Sequence, residues 1–335
     1  MRPNSKFEIR NSKQAQRIEV QNPKQALVRR GRLVLGILDW FRIWDLGFGI
    51  WILWTVGLGI VVLGGCVTQP QKPKLRVCPG KATAAEALQT LTARAQYAVP
   101  VWANGRAVLT YHVPDKRKPE RHSLVIELRF DPPARILLQG SVTAVPKAVI
   151  LGSNEEGFWL ALRPKEISSY YIGRWQDVRD FEGLVMSPRV VLEAVGIVNL
   201  PGTEPNPALW KLENKGPYDI LTQRDESGRP VRRLYVYACD YTVHKIEYFD
   251  RRGKVVAVAQ LRGYKTVEKA FAVPTQINVV SARPDGRKDS AVMELSSVWT
   301  KPFNEKQRER LFQPPRDVDR YEHIYRYEDG QWVPQ

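Results

Sequence analysis

Beyond residue 100 this chain is written in short runs whose side chains alternate between apolar and polar. That period of two is the strongest constraint on its fold. Arg106–Val113 reads RAVLTYHV and Ser123–Phe130 reads SLVIELRF; Arg135–Val142, Lys147–Leu151, Gly157–Leu162 and Ser169–Gly173 continue the series. After a gap it resumes at Tyr218–Gln223, Val231–Ala238, Val243–Phe249, Val255–Tyr264, Phe271–Ser281 and Ala291–Trp299. Turn-forming residues separate the runs, among them Asp131-Pro132-Pro133, Gly152-Ser153-Asn154, Asp250-Arg-Arg-Gly253 and Asp285-Gly286. Many short strands in sequence predict an antiparallel barrel, half-barrel or sandwich.

Two helices are expected among the strands. Thr83-Ala-Ala-Glu86 is a capping box followed by apolar residues at helical spacing, which predicts a helix over 83–96. Ser187-Pro188 places an N-cap and an N1 proline before VVLEAVGI, which predicts a second over 187–195. Residues 199–207 (NLPGTEPNP) read as a loop.

The N-terminal part obeys a different rule. Leu46–Gly65 contains no charged residue and follows Arg29, Arg30, Arg32 and Arg42, the polarity of a segment that enters a membrane with its start in the cytoplasm. It ends in Leu63-Gly64-Gly65-Cys66, and a polar Pro/Gln/Lys tether follows. Small residues before a cysteine at the end of an apolar run resemble the lipobox of bacterial lipoproteins. That resemblance implies cleavage before Cys66 and lipid attachment to it. The competing reading is an uncleaved transmembrane anchor, since the run exceeds the usual length of a signal's apolar core. The expected organisation is therefore residues 1–65 as a cytoplasmic extension plus signal, with the apolar segment at 46–65. Residues 66–80 form the lipidated tether, 81–320 the folded domain and 321–335 a C-terminal tail.

Net charge is +16, of which residues 1–65 supply +6 through ten Lys/Arg against four Asp/Glu. The remaining excess suits an anionic neighbour such as lipid head groups. The basic residues are scattered among acidic ones and no nucleic-acid motif appears, so a nucleic-acid partner is not expected. Cys78 and Cys239 stand either as one disulfide or, for Cys239 in its apolar strand, as a buried thiol. No cofactor or metal is expected: two thiols and the dispersed His112, His122, His244 and His323 do not make a zinc site. Nor does a catalytic motif appear, so the chain is not read as an enzyme.

The order of elements resembles the LolA/LolB-like lipoprotein carriers. The residues carrying the resemblance are Phe130-Asp-Pro-Pro133-Ala-Arg135, Val149-Ile-Leu-Gly-Ser-Asn154 with Phe158-Trp159-Leu160, Ile246-Glu-Tyr-Phe-Asp250, Pro274-Thr-Gln-Ile277 and Phe312-Gln-Pro-Pro315. The resemblance implies a mainly β (α+β) fold: an incomplete antiparallel barrel of about eleven strands, with a few helices plugging its open face. It also implies an apolar cavity for acyl chains of lipoproteins or lipids. Strand candidates for its lining are Leu109, Leu124, Ile126, Leu128, Leu137 and Val149, with Leu151, Trp159 and Leu162 beyond them; Val191, Leu192 and Val195 would come from the helical lid. Arg135 is the candidate for closing the lid, although its spacing from Pro133 is short enough to turn it to the surface instead. The expected protein is a monomeric, membrane-fixed receiver in the cell envelope, with a periplasmic carrier as a partner. Val67 after the cysteine favours the outer membrane; an uncleaved segment would place it in the inner one. The alternative is a sensory or structural lipoprotein using the same barrel to bind lipid or protein.

Overall fold

The alternating runs pair into one antiparallel sheet built from two meanders. The computed structural model describes residues 75–335, apart from 114–115, 117, 144, 179–187, 195–205, 269–270, 284 and 329–330. Cys66 and the apolar segment 46–65 lie outside the described residues. The first meander is β1 (Val101–Tyr111), β2 (Glu120–Asp131), β3 (Arg135–Val142), β4 (Val145–Ser153), β5 (Gly157–Leu162) and β6 (Ser169–Arg174). The second is β7 (Trp210–Lys215), β8 (Tyr218–Arg224), β9 (Pro230–Tyr237), β10 (Val243–Phe249), β11 (Val255–Glu268), β12 (Phe271–Ala282) and β13 (Lys288–Thr300). β13 pairs antiparallel with β1, so the sequence-distant ends of the two meanders join in the middle of the sheet.

A last hairpin, β14 (His323–Glu328) and β15 (Gln331–Pro334), lies beside β6 and pairs with it in parallel. The sheet runs from β15 at one edge to β7 at the other and does not close on itself. This is the incomplete barrel expected, with fifteen strands rather than about eleven. The reading of 321–335 as a tail is corrected: β14 and β15 contribute Tyr327 and Trp332 to the core. The run His323–Tyr327, the Asp329-Gly330 pair and Trp332-Val333 after it carried that hairpin signal.

The helices lie on both sides of the sheet. The N-cap of α1 (Ala84–Ala95) is Thr83, whose hydroxyl accepts from the Glu86 amide, and the helix buries Ala87, Leu88 and Leu91. α2 (Pro188–Ala194) buries Val190, Val191 and Leu192 in that same core on the concave side. α3 (Glu305–Leu311) is capped reciprocally by Asn304 and Gln307.

The sheet buries both faces over β3–β6. The concave side carries Ile136, Leu138, Val149, Leu151, Phe158 and Leu160. The outer side carries Leu137, Ile150, Trp159, Ala161 and Tyr170, on which Phe303, Phe312 and Tyr321 from the C-terminal segment pack. Phe303 stacks on Trp102 at 4.8 Å and meets Phe312 edge-on at 5.3 Å. Asp131, nearly buried, accepts from Arg308 of α3 at 2.8 Å and so fastens that segment. Trp159 lies across Gly152 of the neighbouring strand, where a Cβ would come within 2.4 Å of the indole. Burial lifts the Tyr170 hydroxyl to about 12, and the adjacent Tyr321 adds to the shift.

Cys78 and Cys239 form a disulfide with Cα atoms 5.1 Å apart, which decides between the two cysteine readings. Both cysteines and every core residue named above lie within 73–335, one compact unit with its own core.

Candidate functional site

The concave face is the candidate site, and α2 is what fills it. A seven-residue helix cannot hold itself together in water, so α2 depends on burial. Five consecutive residues, Arg189 to Glu193, are all buried, which is how a helix embedded in protein on all sides reads. It touches β4 and β5 of the first meander and β12 of the second. The plug therefore bridges both halves of the sheet.

Its carboxylate is tied to the second meander. Glu193 is wholly buried and accepts hydrogen bonds from Arg232 of β9 and from the Tyr248 hydroxyl of β10. Arg189, one turn earlier, stands 3.5 Å from the same carboxylate. Arg232 also donates to Gln223 at 2.6 Å, and its guanidinium lies over the Trp210 ring at 5.2 Å. Desolvation pulls the Arg232 pKa down while Glu193 opposes it; desolvation, then the nearby carboxylate, pushes Tyr248 well up. A buried ion pair of this kind adds little net stability, but removing one partner leaves a stranded charge. Glu193 and Arg232 therefore hold α2 in one seat.

Most of the expected lining residues meet here. Leu109, Leu124, Ile126, Leu128, Val149 and Leu151 belong to the concave core together with Val191 and Leu192, and Leu162 packs against it. Val195 lies outside the described residues. Leu137 and Trp159 are corrected: they face outward, into the cluster under the C-terminal segment. The runs Ile136-Leu137-Leu138 and Phe158-Trp159-Leu160 are continuously apolar because both faces are covered, so alternation cannot tell which side each residue takes.

Arg135 is not placed at the lid. It begins β3 at the rim, 2.8 Å from Glu155 and 3.6 Å from Asp131, whereas the arginine that does hold α2 is Arg232. Sequence reading missed Arg232, Glu193 and Tyr248. The one available signal was charge at strand and helix positions that the pattern otherwise assigns to the core.

A separate cleft of about 480 Å³ opens between the β4–β5 turn, β6, β14 and Gln313-Pro314, with Asn154, Arg174, Asp177 and Arg326 in its wall. Among the described residues no cluster of His, Cys, Asp and Glu could hold a metal ion. His112 is engaged by Asp289 at 3.1 Å, and His122 stacks on Tyr111.

No protein-family model matches the chain, and neither does any curated protein. Among solved structures it is similar to a domain assigned to outer membrane lipoprotein sorting from Vibrio parahaemolyticus. The two are 13% identical with a TM-score of 0.45, over 67% of this chain and 95% of that one. A LolA superfamily protein from Nitrosomonas europaea is 13% identical with a TM-score of 0.44, over 70% and 99% of the two chains. A DUF1329 family protein from Desulfovibrio piger is 12% identical, also at 0.44, over 68% and 97%. Likenesses this distant carry nothing about activity; the geometry of the concave face must.

Proposed function

We propose that the domain binds acyl chains on its concave face, with α2 as a plug that the ligand displaces. The reading makes the chain a membrane-anchored envelope lipoprotein that receives or transfers lipidated proteins or lipids. The observation that carries it is the seating of α2. Val190, Val191 and Leu192 occupy the apolar concave face, while a compact ionic cluster around Glu193 holds the helix there. An acyl chain entering that space would replace one set of apolar contacts by another, at about 0.8 kcal/mol per buried methylene. Anchoring would come from lipid on Cys66, followed by the tether up to residue 80. Val67 after the anchor favours the outer membrane.

The test is uptake of a fluorescent fatty acid by residues 73–335. We expect saturable binding, competed by palmitate and enhanced in Glu193→Ala, which loosens the plug. Absence of binding in both proteins would overturn the reading. Metabolic labelling with radioactive palmitate tests the anchor separately: label on the wild-type chain should vanish in Cys66→Ser.

A further inference from the structure

The outer side of the second meander differs from that of the first. No described element packs across β7–β11, and these strands present aromatic and basic side chains there around the buried Ile220 and Val258. Tyr218 meets Tyr235 and Tyr237 edge-on, and His244 stacks on Tyr237 at 5.2 Å. Lys245 stands 4.6 Å over the Tyr235 ring. The rings of Tyr218, Tyr235 and Tyr237 remain half-exposed, an apolar body with a polar tip. Strand register puts five cations on this face, Lys211, Lys215, Arg233, Lys245 and Arg262, against the two carboxylates Glu213 and Glu247. Exposed Asp240, in the adjoining β9–β10 turn, is an acidic neighbour.

The chain also enters the domain beside this face. Cys239, two residues after Tyr237, is bonded to Cys78. A second tie lies close by: the Lys81 amide donates to Asp219, the neighbour of Tyr218, at 2.9 Å. Gly80 fits there only for lack of a side chain, since a Cβ would come within 2.2 Å of that carboxylate. Cys78 follows Cys66 by only 12 positions. Even fully extended, such a stretch spans at most about 40 Å. The disulfide therefore fastens this end of the domain to a residue only 12 positions along the chain from Cys66.

We propose that the outer face of β7–β11 docks on an anionic phospholipid surface, that of the membrane in which the chain is anchored. Tyrosines interleaved with Lys and Arg match the interface between head groups and acyl chains. The excess of positive charge matches anionic lipid, each cation near the surface being worth about 1 kcal/mol. Docking would orient the domain, so that the concave face stands at a set angle to the bilayer. The proposal shares with the functional reading only the membrane anchor at Cys66, and does not require that acyl chains be bound.

The experiment is flotation of residues 73–335 with mixed phosphatidylcholine–phosphatidylglycerol vesicles and with vesicles of phosphatidylcholine alone. We expect binding to the anionic vesicles only, weakening with salt. The double variant Lys245→Glu, Arg262→Glu should lose at least about tenfold in affinity. Arg262→Glu alone, at an exposed position, serves if the double variant melts early. A control with the same charge change on the outer face of β1–β2, Arg106→Glu with Arg121→Glu, should bind within about twofold of wild type. No binding to either vesicle, equal binding to both, or an equal loss in the control would each overturn the proposal. Fatty-acid uptake measured on the same proteins separates the two readings, because failure to float with normal uptake removes only the docking surface.

Discussion

The two outer faces of one sheet have opposite fates. Over β3–β6 the outer side is apolar and lies beneath the segment that carries Phe303, Phe312 and Tyr321. Over β7–β11 it bears half-exposed tyrosines among charged residues and no described element covers it. The two halves belong to one sheet, and whether a face becomes core or surface is decided by what the rest of the chain brings to it. The covered half behaves as a sandwich and the open half as a one-sided sheet.

Substitutions across the two halves should separate sharply. Phe312→Ala, in the covered half, removes a buried ring and should cost about 3–5 kcal/mol in urea unfolding of residues 73–335. A loss under about 1 kcal/mol there would mean that the C-terminal segment lies loosely on the sheet. Replacing Cys78 and Cys239 by Ser should cost about 2–5 kcal/mol, because their bridge closes a long loop of the unfolded chain. It should leave the covered half's near-ultraviolet signal intact at low denaturant. Asp131→Asn weakens the hold on Arg308 and should cost about 1–3 kcal/mol, read as earlier proteolysis near residue 305.

In the open half, Tyr237→Ala removes only cross-strand ring contacts and should cost about 1 kcal/mol or less. A penalty matching that of Phe312→Ala would erase the contrast. The smallest effect concerns pH. Desolvation, aided by Arg262 and opposed by Asp240, depresses the His244 pKa, with Tyr218, Tyr237 and Tyr264 around the ring. The unfolded chain then binds the proton more readily, so this contribution is complete above the ordinary histidine range and lost as pH falls through the lower folded value. Urea midpoints between about pH 8 and about pH 5 should fall less in His244→Gln than in wild type.

How much of this was legible in the residues depends on the half. In β1, β2 and β9, where one face is core and the other wet, alternation assigns inward residues such as Leu124, Ile126 and Leu128 without help. In β3 and β5 both faces are buried, the pattern loses its period, and Leu137 and Trp159 were assigned to the wrong side. Arg135 was read through a resemblance, and only the distances to Glu155 and Asp131 show what it does. Arg232 and Glu193 stand 39 positions apart, and no local rule pairs them across that distance.

By itself, then, the sequence determined twelve of the fifteen strands, all but β7, β14 and β15, together with the helices that follow Thr83 and begin at Pro188, and a charge-free stretch ending at Cys66. Those depend on period, capping and composition, which are properties of neighbours along the chain. Tertiary structure alone decided that β13 joins β1, that the C-terminal segment covers one outer face and leaves the other open, and that Cys78 reaches Cys239. Contacts of that kind depend on which distant surfaces bury one another. That is a property of the whole folded chain, and no window of sequence contains it.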